Sequence, residues 1–266
     1  MTEAGGALER YEAVIGIEVH SQLRTESKMF CACSTAYDGA RPNTHVCPVC
    51  LGLPGALPTI NRRAVEHVLA TGAAIEATAP AATRWDRKNY FYPDLPKGYQ
   101  ISQFDKPLAL DGMLVIGEHA DGSLMRVRIT RVHMEEDAGK SIHDRYPGAS
   151  AIDLNRAGTP LIEIVSEPDI RSAAEAGSYL RLLRQVLEYV DVSDLNMEEG
   201  SLRVDANISI RERGAAKLGT KTEVKNMNSF SGVERALDAE FVRQVAIVES
   251  HGRVEQETLL WDADRG

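Results

Sequence analysis

The sequence predicts an α+β protein built on a sheet with one apolar face and one wet, acidic, concave face. Three observations carry that expectation. Residues 13–23 alternate, with Ile15, Ile17, Val19 and Leu23 on one side and Glu18, His20 and Gln22 on the other. Residues 202–210 alternate more cleanly, Leu202, Val204, Ala206, Ile208 and Ile210 against Arg203, Asp205, Asn207 and Ser209. Period two is the mark of a strand with one face in the core and the other in water. The third observation is Arg131-Val-His-Met-Glu-Glu-Asp-Ala-Gly-Lys140, which gathers His133, Glu135, Glu136, Asp137 and Lys140. Adjacent carboxylates repel, and a packed site tolerates them only when a cation neutralises them. A solvated surface turn is the bland alternative. It is weakened by the acids and the histidine that other strands present on a polar face.

The chain has 266 residues, 43% of them hydrophobic, enough for one large domain or two small ones with a sizeable core. A net charge of −9 argues against a large basic nucleic-acid surface, though not against a local basic groove. No apolar run approaches the ~20 residues of a membrane helix. The N-terminus lacks the charged and apolar regions of a signal peptide, so the expected location is the cytoplasm. Four cysteines there are expected to bind metal or stay reduced.

In chain order, residues 1–10 read as a disordered tail, with a single domain over 11–266. Cys31, Cys33, Cys47 and Cys50 form two close pairs flanking a Gly/Pro/Asn-rich loop, the pattern of a Cys₄ zinc knuckle inserted at about 29–52. The first pair is tighter than the commonest spacing. Four thiolates leave no open position, so this zinc is structural. Asn61 is placed to cap a helix over 62–78 with Val65, Val68, Leu69 and Ala73 on its apolar stripe. Residues 85–104 mix aromatics and prolines with Arg87, Lys88 and Lys97, which suits either a phosphate with a stacked base or a rigid Ω-loop.

Strands follow over 113–116 and 125–131, joined through Asp121-Gly122, and over 151–154. Residues 161–165 read as a buried strand carrying one carboxylate, Glu163, which is costly unless paired or metal-bound. Ser172-Ala-Ala-Glu175 is a capping box for a helix to about 190, with Ala176, Leu180, Leu183, Leu187 and Val190 inward. Residues 196–200 form an acidic turn, 221–226 a strand, 231–250 a helix capped by Ser231, and 254–260 a last strand.

Glu18, His20, Glu135, Glu136, Glu163 and Asp205 thus gather on the polar face. Mostly hard oxygen ligands with one imidazole favour Mg²⁺ over zinc. Arg203 and Lys88 are then candidates to neutralise phosphate oxygens in metal-assisted phosphoryl transfer. A zinc-stapled, non-catalytic scaffold and a metal-dependent hydrolase are the rival readings. There is no GxxxxGK[ST] loop and no GxGxxG after a strand.

Several long strings resemble the GatB family, the B subunits of the aspartyl/glutamyl-tRNA(Asn/Gln) amidotransferases. They are Val14-Ile-Gly-Ile-Glu-Val-His20, Asp86-Arg-Lys-Asn-Tyr-Phe-Tyr-Pro-Asp94, Tyr99-Gln-Ile-Ser-Gln-Phe104, His133-Met-Glu-Glu-Asp-Ala-Gly-Lys-Ser141, the run from Asp153 to Asp169, and Met197-Glu-Glu-Gly-Ser-Leu-Arg203. The resemblance implies a curved, largely antiparallel sheet with helices packed on one face, of the glutamine synthetase/guanido kinase type. It implies a heterotrimer completed by an amidase, which acts as the glutaminase, and by a small third subunit. ATP and Mg²⁺ would phosphorylate the side-chain carboxylate of Glu on tRNA(Gln) or Asp on tRNA(Asn). Ammonia released from glutamine would arrive through an inter-subunit tunnel and displace the phosphate.

By motif, the resemblance puts Glu18, His20, Glu135, Glu136 and Glu163 in or beside the Mg²⁺ cluster. Glu198, Arg203 and Asp205 would line the same cavity, Arg203 touching phosphate, and Lys88 and Glu136 would stand where ammonia enters. Cys31, Cys33, Cys47 and Cys50 match the zinc-bearing branch. Family members continue into C-terminal helical and tail domains that grip tRNA, and those domains are expected to be absent from this chain.

Overall fold

The alternating segment at residues 13–23 becomes β1 (Tyr11–Gln22), the middle strand of a seven-stranded sheet, in a computed structural model that describes residues 3–265. The other members are β4 (Ala109–Glu118), β5 (Leu124–Glu136), β8 (Pro160–Ser166), β9 (Leu202–Glu212), β10 (Thr222–Met227) and β11 (Thr258–Leu260). Their order is β11-β10-β9-β1-β8-β5-β4. All pairs are antiparallel except β10 with β11.

Register decides which side chains share a face, because a slip of one residue would reverse every one of them. Val19 lies opposite Val204 and Ile164, and Ile164 opposite Val132, so the apolar members of four strands form one continuous face. His20 lies opposite Arg203 and Glu163, and Glu163 opposite His133, on the other face.

Helices cover the apolar face. α3 (Ala173–Tyr189) buries Ala173, Ala176, Tyr179, Leu180, Leu183 and Leu187, essentially the stripe expected. Ser172 Oγ accepts from Glu175 N, while the Glu175 carboxylate reaches back to Arg171 N, one residue before the cap. α4 (Phe230–Glu249) is capped by Ser229 rather than Ser231, because it is the Ser229 hydroxyl that accepts from Gly232 N.

α2 (Arg62–Ala74) is capped by Asn61 as expected but ends earlier than residue 78, and its inward stripe differs. Ala64, His67, Val68, Thr71 and Gly72 face inward while Leu69 is exposed. The reason is close approach to β4: a Cβ added at Gly72 would stand 3.0 Å from the Ala109 Cβ, so small residues must face the sheet. Residues 3–10, expected as a tail, form α1 (Glu3–Arg10), held by Ala7 and Leu8 against Tyr11, Ile210 and Val245.

Two small hairpins stand outside the sheet. β2 (Asp86–Asn89) pairs with β3 (Tyr99–Ser102), giving the aromatic loop more strand than its composition suggested. β6 (Lys140–Tyr146) pairs with β7 (Ala149–Asp153), and β6 carries no alternation that would have announced it. Among the described residues no helix is long and apolar enough to cross a membrane.

Candidate active site

The polar face carries one continuous cross-strand row: Arg203 on β9, His20 on β1, Glu163 on β8 and His133 on β5. Glu163 Oε2 lies 3.3 Å from Nε2 of His20 and 3.3 Å from Nε2 of His133. His133 Nε2 is also 3.4 Å from Glu135 Oε1. Burial alone would raise the Glu163 carboxyl, but hydrogen bonds with His133 and His20 hold it well below the usual carboxylate range. Arg131 Nε lies 3.3 Å from His133 Nδ1, and Nε2 faces the two carboxylates; against the opposing effect of burial, these raise the imidazole.

His20, Glu135 and Glu163 each offer one ligand atom, all within 4.8 Å of one another. Two carboxylates and one imidazole fit a hard divalent cation such as Mg²⁺, with water completing its shell. β3 orients Glu135: Ser102 Oγ donates to Oε1 at 2.7 Å and Gln100 Nε2 to Oε2 at 3.0 Å. Against the upward push of burial, His133 and then Lys88 hold the Glu135 carboxyl below its ordinary value.

The residues singled out from sequence divide into groups. His20, Glu135 and Glu163 are brought together, with Lys88 Nζ 3.9 Å from Glu135 Oε1. Glu136 stands apart from them. Side chains alternate along β5, so its carboxylate leaves on the side opposite Glu135; it pairs with the Lys97 ammonium and accepts from Ile101 N at 3.1 Å. Burial raises its carboxyl, and Lys97 offsets this only in part.

Glu18 is also displaced from the group. Its carboxylate accepts from Asn207 Nδ2 at 3.0 Å, beside Asp205, which is paired with Lys225 at 2.7 Å. Arg203, expected to touch phosphate, spends both terminal nitrogens on Asp137, at 3.0 Å and 3.1 Å. Glu198 is exposed, on the rim of a cavity of about 660 Å³ that also meets Gln22, Lys140 and Arg156. A second cavity, again about 660 Å³, lies over His133, Glu135 and Glu163 and is edged by Arg87, Lys88 and Arg131.

Sequence reasoning noticed His133 and Asp137 but gave neither a place in the site. It gave Gln100 and Ser102 no role of their own, and treated Lys97 only as part of a basic loop. Asp137 is buried and is also bound by Gln22 Nε2 at 2.7 Å, with Arg156 3.8 Å away; these partners overcome burial and keep it ionised.

The four cysteines converge as their spacing predicts. Their sulfurs all lie within 4.8 Å of one another, and the Cys47 and Cys50 Sγ atoms are 3.8 Å apart. Tetrahedral zinc with Zn–S bonds of about 2.3 Å requires sulfurs about 3.8 Å apart, so the set fits structural zinc. The hydrogen bond with Cys31 pushes the Cys50 thiol down, aided by the Cys47 backbone and Lys28.

A largely antiparallel sheet thus carries a histidine–carboxylate cluster able to hold a cation on its open face, with Arg87, Lys88 and Arg131 at the rim. Comparison with known proteins narrows this. Residues 13–266 match the GatB/GatE catalytic domain, and the chain belongs to that family. The B subunit of the aspartyl/glutamyl-tRNA(Asn/Gln) amidotransferase of Moorella thermoacetica is 61% identical over 258 residues, which is 96% of this chain and 54% of that protein. Its counterparts of the same name from Thermodesulfovibrio yellowstonii and Myxococcus xanthus are 56% and 55% identical, over 97% and 96% of this chain and 53% of each relative. The chain spans about half the length of the curated relatives it matches.

Proposed function

We propose that this chain is the carboxylate-activating domain of a tRNA-dependent amidotransferase. Its substrate would be Glu on tRNA(Gln), Asp on tRNA(Asn), or both, with ATP as phosphoryl donor. A carboxylate is a poor acyl donor to an amine, because it lacks a good leaving group. Transfer of the γ-phosphoryl group from ATP to the side-chain carboxylate gives an acyl phosphate and ADP. Attack by ammonia on that carbonyl then expels phosphate, leaving Gln or Asn on the tRNA.

The observation that carries this reading is the meeting of His20, Glu135 and Glu163 beneath a cavity edged by Arg87, Lys88 and Arg131. A divalent cation such as Mg²⁺, held by those three residues, would neutralise phosphate oxygens. Lys88 and Arg131 are placed to meet further phosphate charge. Glu136 lines a separate cavity of about 220 Å³ with Lys97. Its raised carboxyl makes it the candidate to take a proton from incoming ammonium. Arg203 serves by fixing Asp137 rather than by meeting substrate. The partners in this reading are the amidase, the small third subunit of the heterotrimer, and the misacylated tRNA. Ammonia passes through an inter-subunit tunnel, and the assembly works in the cytoplasm.

The test is Mg²⁺-dependent ATP hydrolysis by the whole assembly with and without Glu-tRNA(Gln). Stimulation by the misacylated tRNA, lost in His20→Ala and Glu135→Ala, is expected. An assembly whose hydrolysis ignores the tRNA, or variants that keep the stimulation, would overturn the reading.

A further inference from the structure

Lys28 lies at the edge of the cysteine cluster and is fully inaccessible to solvent. Its Nζ has two neighbours, the His45 carbonyl oxygen at 2.6 Å and Cys50 Sγ at 3.8 Å. Among the described residues no carboxylate pairs with it; Glu136, which lines the same cavity, is already paired with Lys97. The lysine is not there by default. Its backbone N donates to the Cys33 carbonyl at 2.9 Å, and its carbonyl accepts from Asn61 Nδ2 at 3.3 Å, so the backbone from which the side chain departs is held on both sides. The side chain then runs past Gly158, whose φ is +87°, where an added Cβ would stand 3.4 Å from Lys28 Cδ and 3.5 Å from Cys50 Cβ.

A buried ammonium without a counter-ion is strongly unfavourable, and one carbonyl does not repay its lost hydration. Without zinc, the only group beside the ammonium that can carry compensating charge is the Cys50 sulfur, 3.8 Å away. Zinc bound by four thiolates carries two net negative charges, and the thiolate sulfurs accept hydrogen bonds. We propose that Lys28 is the charge-compensating residue of the zinc centre, its ammonium donating to the Cys50 sulfur and offsetting part of the Zn(Cys)₄ charge. The role is one of positioning and electrostatics: Lys28 is not a ligand. Outer partners of metal ligands tune affinity in this way. The inference rests on the zinc fit and is independent of the amidotransferase reading.

The experiment compares wild type, Lys28→Met, Lys28→Gln and Lys28→Arg in the whole protein purified with zinc. Zinc release is followed with the chromogenic chelator 4-(2-pyridylazo)resorcinol, and thermal unfolding is measured with zinc present and after chelation under reductant. Lys28→Met and Lys28→Gln are expected to hold zinc roughly 10–100-fold more weakly, with Lys28→Arg intermediate. With zinc, both neutral variants unfold at a lower temperature than wild type. Without zinc the difference from wild type is expected to shrink, because the full Zn(Cys)₄ charge that Lys28 offsets is gone. A lysine that merely packs would lower stability equally in both states and leave zinc release unchanged, and that result would overturn the proposal. Lys28→Gln can still donate to the His45 carbonyl, so it separates charge from the hydrogen bond if Lys28→Met does not fold.

Discussion

His20 and Glu163 stand directly opposite one another on antiparallel β1 and β8, with His20 Nε2 3.3 Å from Glu163 Oε2. The same oxygen meets His133 from the other flank, so one buried carboxylate is shared by two imidazoles at the centre of the sheet. Glu163→Gln preserves its volume and removes its charge. The expected outcome is a loss of about 10²–10³-fold in tRNA-dependent ATP hydrolysis by the whole assembly, with circular dichroism unchanged. Binding of Mn²⁺, followed by electron paramagnetic resonance, should weaken in parallel. Near-normal turnover in this variant would remove Glu163 from the metal group.

Ser102 tests whether the β2–β3 hairpin serves the site or only decorates it. Its hydroxyl donates to Glu135 Oε1 at 2.7 Å from a strand that is not part of the main sheet. Ser102→Ala should weaken Mn²⁺ binding about 10–100-fold, the usual effect of losing a hydrogen bond that orients a ligand. Thermal stability should change little. Unaltered Mn²⁺ affinity would mean that Gln100 alone orients Glu135.

Buried Asp137 and half-buried Arg203 form a two-pronged ion pair with bonds of 3.0 Å and 3.1 Å. Asp137→Ala leaves half-buried Arg203, and Arg156 with it, without their carboxylate; partial exposure lets water reach Arg203, so the expected cost in urea unfolding is about 1–3 kcal/mol. Arg203→Ala should cost less, because Arg156 and Gln22 still compensate Asp137. The double variant should be markedly less damaged than the sum of the two. Additive losses would show that Arg203 acts elsewhere, for instance on phosphate.

These residues also show where sequence reading succeeded and where it stopped. β1 and β9 were legible because a half-buried strand must alternate, and β8 as a short apolar run in which Glu163 was conspicuous as the lone charge. Glu135 and Glu136 were grouped because the strand leading to them was expected to end at Arg131. β5 in fact runs to Glu136, and its parity sends the two carboxylates to opposite sides. The Asp137–Arg203 pair spans 66 positions and depends on how β5, β8, β1 and β9 are ordered, which local pattern does not encode. Lys28 had no local signature either, since a lysine in a turn-rich segment ordinarily reads as solvated.

Glu240 offers a separate test of stability. It is 4% exposed, on α4, and its carboxylate accepts from Thr222 Oγ1 at 2.8 Å, Gln244 Nε2 at 2.8 Å and Arg243 Nε at 2.6 Å. Burial alone would raise its carboxyl, but Arg243, Gln244 and Thr222 together hold it below the ordinary value. A carboxyl depressed in the folded state adds stability that is fully present above its unfolded pKa of about 4.3 and is lost as pH falls through the folded value. Glu240→Gln should therefore lower stability by about 1–3 kcal/mol at pH 7. The gap to wild type should narrow on acidification below about pH 4.3, because only the wild-type residue has charge to lose there. Urea midpoints of both proteins at neutral and mildly acidic pH measure this. A gap independent of pH would show that the Glu240 hydrogen bonds stabilise α4 by shape alone, without a contribution from its charge.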